Sequence, residues 1–349
     1  MSPTSSRPVQ PQTDTLYGIQ YLRALAATAV VVFHAAERTG LHFNIRAAGV
    51  DVFFVVSGFI MMVISARRPI RPLPFLRDRM LRIAPSYWIV TTIMLVGAAA
   101  GLFPNLQIDL LHALGSYLFV PVPSPNGGHL WPVLVQGWTL NYEIFFYLVF
   151  AAALLAPREG QFPWLAGALL LLVATGTFGE SDNPLLVFYT EPLILEFAAG
   201  AWLGRLWLRG MMPRPSLGLL MILGALGGFG IIEVARVEFD ALLCGPLAVA
   251  LVAGLLALET GKKLPDVPML AYLGDASYST YLWHTLALAV TTKVGFHLIL
   301  PAPAVAAAGV LAGMLVGVAA YEMVEKPIQS RMKRRQVVAG LAVAQPPPP

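Results

Sequence analysis

The chain is short of charge and of cysteine. Only 12% of its 349 residues are charged, against 57% hydrophobic, and the mean hydropathy is +0.70. A soluble globular domain carries about 25% charged residues, so that class is excluded. Cys244 is the one cysteine, which excludes an internal disulfide and any metal cluster built on thiolates. In its apolar run Cys244 reads as a small packing residue. Residues 1–16 lack the charged and apolar regions of a cleavable leader and read as a disordered, cytoplasmic tail. Segment 104–136 has no Lys or Arg at all, and no internal repeat of the kind common in transporters is present.

What remains is apolar runs of about twenty residues, the length that spans hydrocarbon as a helix. The expected fold is all-α, a polytopic membrane protein with about ten spans at 17–36, 47–66, 83–103, 137–156, 163–179, 185–207, 216–235, 241–258, 270–292 and 303–324. A short interfacial helix is expected in LLHALGSYLFV of the third loop. The membrane domain covers 17–327, and 328–349 forms a basic, Pro-ending cytoplasmic tail. A pI of about 9.2 suggests nucleic acid only until the basic residues are located. With the N-terminus inside, inner segments hold eighteen Lys and Arg, outer loops hold four, and Arg23 lies within a span. That asymmetry satisfies the positive-inside rule with both termini cytoplasmic, and no nucleic-acid partner is expected.

The first span, YGIQYLRALAATAVVVFHAA, carries two residues that a membrane helix tolerates poorly, Arg23 and His34. A step of eleven is almost three turns, so both side chains share one face, about 16 Å apart along the axis. Ionisable groups inside a bilayer usually serve function. Orientation places His34 about 25 Å and Arg23 about 8 Å from the inner face. Asp51 lies about 6 Å and Glu143 about 9 Å below the outer face, and His284 about 21 Å from the inner one. Four ionisable groups thus share the outer third of the membrane, with Arg23 beneath them. A histidine near a carboxylate can serve as general base. Structural alternatives stand beside this reading: Arg23 pairing with Glu325, and Asp51 or Glu143 serving helix dipoles or tyrosines. Tyr281 lies one turn before His284. His129, beside Trp131 in an outer loop, is placed to meet an external substrate. The inner stretch RRPIRPLPFLRDRMLRIAP has six arginines and no lysine, which suits anionic lipid headgroups or bidentate recognition of phosphate.

Together these segments resemble the acyltransferase 3 family of integral membrane acyltransferases. The Arg-to-His step of eleven is similar to that family's signature. GVDVFFVVSGF, FLRDRMLRIAP, WTLNYEIFFY, SYSTYLWH and YEMVEKP follow in the family's order, from about Ile19 to Pro327. Many members open with a Leu-Asp-Gly-Leu-Arg type sequence where this chain has Ile19-Gln20-Tyr21-Leu22-Arg23. Asn141-Tyr142-Glu143 stands in place of a Ser-Val-Glu-Glu run. Both choices resemble the exopolysaccharide-production branch, related to proteins that acetylate succinoglycan. The resemblance implies an acyl-CoA co-substrate, usually acetyl-CoA, a carbohydrate hydroxyl as acceptor, no bound cofactor or metal, and a place in the inner membrane. Polysaccharide-assembly proteins are further partners of such an enzyme. His34 is then expected to deprotonate the acceptor or to be transiently acylated, with Glu143 or Asp51 orienting it. Arg23 would hold a donor phosphate or carbonyl, Arg77, Arg79 and Arg82 the nucleotide, and Tyr281 and His284 the acceptor. The alternatives are a transporter or flippase of glycan intermediates, or the same chemistry with succinyl or with a small glycosylated acceptor.

Overall fold

In hydrocarbon every backbone polar group must be satisfied within its own segment, which leaves helices as the elements such runs can form. A computed structural model describes residues 16–41, 48–67, 69–179, 181–237 and 240–332, and among them there is no strand. In chain order the helices are α1 (Tyr17–Arg38), α2 (Ala48–Arg67), α3 (Pro72–Ala99), α4 (Leu110–Leu118) and α5 (Trp138–Ala153). They continue with α6 (Arg158–Phe178), α7 (Pro184–Tyr189), α8 (Leu195–Leu208), α9 (Pro215–Val234) and α10 (Ala241–Thr260). Last come α11 (Pro268–Asp275), α12 (Ser277–His297) and α13 (Ala302–Ala320). The two terminal tails fall mostly outside the described residues, as do His42 and Arg46.

Eight described helices are long and apolar enough to cross a membrane, with α7 and α8 counted as one span and α13 continuing to Met332. The difference from ten lies in α5 and α12. Sixteen residues make α5 short, and α12 gives up apolarity to Ser277, Ser279, Thr280, His284 and Thr285. Most of these polar positions are buried in the bundle.

Two boundaries differ from the sequence reading. The arginine-rich inner stretch is helical from Pro72, continuous with the span behind it. Proline at the first helical position has no N–H to leave unpaired. At 28 residues α3 is about 42 Å long, so its first turns extend beyond the hydrocarbon. The sixth span breaks at Thr190 and Glu191 before Pro192, because proline excludes the preceding residue from helical geometry. The expected interfacial helix is present as α4, with Asp109 accepting from the His112 N–H at 2.7 Å.

The centre of the bundle is α2, 72% buried over its apolar window, whereas the α6 window is only 11% buried. Reciprocal glycines bring α2 and α8 into backbone contact. A Cβ on Gly58 would meet the Phe197 carbonyl oxygen at 2.0 Å, and one on Gly200 the Val55 carbonyl oxygen at 1.9 Å. Such small-residue contacts are how membrane helices gain dispersion energy, since lipid offers no hydrophobic drive for association.

Candidate active site

α1, α12 and α13 meet around two histidines. Gly313 and Gly317 let α13 close onto α12, where Cβ atoms would stand 3.2 Å from His284 Cβ and 2.4 Å from Thr280 Oγ1. This presses His284, fully buried, toward α1. His284 Nε2 lies 3.1 Å from His34 Nδ1, and His284 Nδ1 lies 3.0 Å from the Thr280 carbonyl oxygen. That chain of bonds assigns the protons when both rings are neutral. A carbonyl oxygen only accepts, so His284 Nδ1 carries hydrogen and its Nε2 offers a lone pair. His34 Nδ1 then donates to it, and the remaining lone pair sits on His34 Nε2. The geometry therefore prepares His34 Nε2 as a base.

The sequence reading assigned that orienting role to Glu143 or Asp51, and this is corrected. Glu143 accepts from Ser57 at 3.3 Å and from the Tyr147 hydroxyl. Asp51 is fully buried on the α8 side of α2, facing Glu196. Among the described residues, no other group donates to either carboxyl of that pair. α2 and α8 touch at Val55 and Gly200, and one turn earlier on each helix stand Asp51 and Glu196. Equal depth thus brought together only His34 and His284; the two carboxylates face other neighbours.

Most of the other expected residues line one cavity. It has a volume of about 100 Å³, and Arg23, Arg79, Arg82, Glu143 and Tyr281 all contribute to its wall. The apolar side of α2, including Phe53 and Ile60, forms much of the rest. A second cavity of about 330 Å³ carries Gln20 and Arg67 and shares Arg23 and Arg82 with the first. Arg23 and Arg82 therefore stand at the junction of the two. Arg23 bonds Gln20 at 3.2 Å, and Gln20 in turn bonds Asp275 at 2.8 Å. The considered Arg23–Glu325 ion pair is not formed; Glu325 accepts from Ser279 at 2.5 Å and Gln329 at 2.8 Å. Arg77 lines neither cavity. It is exposed and pairs with its neighbour Asp78 at 3.3 Å, because a step of two along α3 turns it away from Arg79.

Tyr281 joins the cavity to the histidines. Its ring is 6.3 Å from that of His284 and 6.0 Å from Phe53. Its hydroxyl donates to the Gln136 carbonyl at 2.9 Å and lies 2.8 Å from the Thr139 hydroxyl. The Gln136 amide donates to the Leu282 carbonyl at 3.1 Å and to Thr285 at 2.9 Å. These bonds lock the start of α5 to α12. Sequence reasoning passed over Gln20, Ser57, Tyr147 and Glu196, while Arg67 belongs to the arginine-rich stretch it had singled out. For Glu196 a signal existed, an acidic residue inside an apolar span at the level of Asp51.

The bundle thus sets a histidine pair near an arginine-lined cavity, and comparison with known proteins gives the class, the membrane acyltransferases. The chain belongs to the acyltransferase 3 family, whose acyltransferase domain matches residues 16–322. It is 51% identical over 312 residues to the exopolysaccharide production protein ExoZ of Rhizobium meliloti (strain 1021), covering 89% of this chain and 98% of that protein. It is also 24% identical over 330 residues to the peptidoglycan O-acetyltransferase OatA of Listeria monocytogenes, covering 79% of this chain and 50% of that protein. No solved structure matches the chain. Family membership makes it an O-acyltransferase and sets aside the transporter reading.

Proposed function

We propose that the chain transfers an acyl group, acetyl in the simplest case, from cytoplasmic acyl-CoA to a hydroxyl of an exopolysaccharide or its lipid-linked precursor. One observation carries this reading: the Thr280–His284–His34 hydrogen-bond chain, which leaves a lone pair on His34 Nε2. In the proposed reaction His34 Nε2 takes the proton of the acceptor hydroxyl as its oxygen attacks the thioester carbonyl carbon. The carbon–sulfur bond then breaks, and the leaving thiolate takes up the proton held by His34. Arg23, Arg79 and Arg82 receive the anionic part of the donor, a role suited to the planar guanidinium. His284 acts through His34, as a positioning residue. Glu143 supplies a polar wall to the donor cavity, and Asp51 serves the α2–α8 contact.

Loop charge supports ten spans with both termini cytoplasmic, the eight apolar helices being joined by α5 and α12. On this reading the donor arginines face the inner side of a bacterial cytoplasmic membrane and His34 lies toward the outer one. The ExoZ resemblance supports a polysaccharide acceptor and a setting among polysaccharide-assembly proteins. The test is acyl transfer from labelled acetyl-CoA in membranes, together with the O-acetyl content of surface polysaccharide by NMR. His34→Ala is expected to lower the rate ~10²–10⁴-fold, the usual contribution of a general base. A His34→Ala enzyme of normal rate would overturn the mechanism.

A further inference from the structure

A third cavity, of about 610 Å³, lies across α5 from the donor cavity. Trp138 and Tyr142 line it, while their sequence neighbours Thr139 and Glu143 line the donor cavity. One helix thus separates the two. The remaining wall includes His129, Trp131, Glu191 and Asp240.

The aromatic part is built as a platform. The His129 and Trp131 rings stack 4.3 Å apart at 21°. Their loop is fixed by the His129 carbonyl, which accepts from the Ser124 and Trp131 N–H groups at 2.8 Å each. The Trp131 carbonyl lies 2.9 Å from His112 Nε2, on α4. Tyr142 stacks on Phe188 at 4.0 Å, and Trp138 meets Tyr142 edge to face at 5.8 Å. Trp131 remains 39% exposed, so its ring is available to a ligand. One Asp240 oxygen caps α10 through the Leu242 N–H at 2.7 Å, and the Glu191 side chain is exposed. Among the described lining residues there is no Lys or Arg.

Flat aromatic faces receive the polarised C–H groups of a sugar ring, and carboxylates accept from its hydroxyls. Two carboxylates with no cation disfavour any ligand of negative charge. The volume falls in the range of preformed small-ligand sites. We propose that this cavity is an acceptor subsite that binds uncharged sugar units beside the one acylated, and excludes uronate or phosphate-bearing units. The proposal rests on the glycan acceptor given under Proposed function and adds the class of sugar.

The experiment titrates the purified full chain, in detergent, with cellotetraose and with tetragalacturonate, followed by calorimetry. Cellotetraose is expected to bind at least tenfold more tightly than tetragalacturonate. Trp131→Ala is expected to weaken cellotetraose at least tenfold. In a Glu191→Gln/Asp240→Asn double variant the gap between the two probes is expected to narrow, with asparagine still able to cap α10. His34→Ala is expected to bind cellotetraose as the wild type does. Should the wild type transfer no acyl group yet show this binding pattern, the sugar site stands and the transferase reading falls. The subsite is overturned if cellotetraose does not bind the wild type, or if Trp131→Ala leaves its affinity within twofold. Equal affinity for the two probes overturns it as well.

Discussion

Replacing His284 separates its positioning role from the base itself. His284→Leu keeps comparable volume in a fully buried position but removes the acceptor 3.1 Å from His34 Nδ1. A buried N–H left without a partner costs about 1–3 kcal/mol. His34 escapes that cost by moving its proton to Nε2, the nitrogen that must act as base. The active tautomer then falls by a factor of ~5–160, the same 1–3 kcal/mol expressed as a population. His284→Gln places an amide oxygen near the lost nitrogen and is expected to keep the rate within about tenfold, since Gln carries one acceptor among its polar atoms. The expected order of turnover is therefore wild type, His284→Gln, His284→Leu, His34→Ala. The assay is labelled acetyl transfer in membranes, with monodispersity in detergent as the folding control. The KM for acetyl-CoA is expected to stay unchanged in both His284 variants, because His284 lines neither arginine-bearing cavity. A folded His284→Leu enzyme within twofold of wild-type turnover would refute the tautomer argument.

The arginines of α3 offer a paired comparison. Arg82→Ala removes a cation shared by two cavities and is expected to raise the acetyl-CoA KM at least tenfold, as losing a charge-assisted contact of about 1.5–3 kcal/mol would. Arg77→Ala breaks an exposed pair worth about 0–1 kcal/mol and is expected to leave KM within twofold; the reverse ranking would move the donor site elsewhere. For stability, a methyl at Gly200 stands 1.9 Å from the Val55 carbonyl oxygen, whereas one at Gly167 meets nothing within 4 Å. Gly200→Ala is expected to lower the Tm in detergent, overpacking costing about 1–3 kcal/mol. Gly167→Ala, inside α6, is expected to leave the Tm unchanged or raise it, and equal shifts for the two would contradict the close α2–α8 contact.

Much of this arrangement was legible in the chain because the bilayer fixes depth. Apolar runs and loop charge turn residue numbers into heights, and on that scale His34 and His284 were level. The eleven-residue step from Arg23 to His34 likewise needs only helical geometry to share a face. Azimuth was not legible for α2, which is apolar nearly all round apart from Asp51, Ser57 and, at its end, Ser65 and Arg67. With no polar face to orient it, nothing in GVDVFFVVSGF said that Asp51 turns toward α8 while Ser57 turns toward Glu143. The glycines that decide this, Gly58 and Gly200, act through a backbone contact that only the partner helix reveals. Arg77 was misplaced for a related reason. Read as a loop, the inner stretch let every arginine reach a ligand; as the first turns of α3, it divides them between two faces.

The position of Tyr281 bears on how donor and base come together. The cavity lined by Arg23, Arg79 and Arg82 includes Tyr281 and Phe53 in its wall, and these rings meet edge to face at 6.0 Å. His34 and His284 lie beyond that wall rather than in it. Tyr281 is held from three sides, by the Gln136 carbonyl, the Thr139 hydroxyl and its own helix, so its ring has little freedom while α5 and α12 stay locked. Phe53 has no polar tether and sits on α2, the helix whose register is set by the α8 contact. Tyr281 is therefore tied by hydrogen bonds, and Phe53 is held by packing alone. The α2–α8 interface sets where Phe53 stands, and Phe53 shares the cavity wall with Arg23, Arg79 and Arg82.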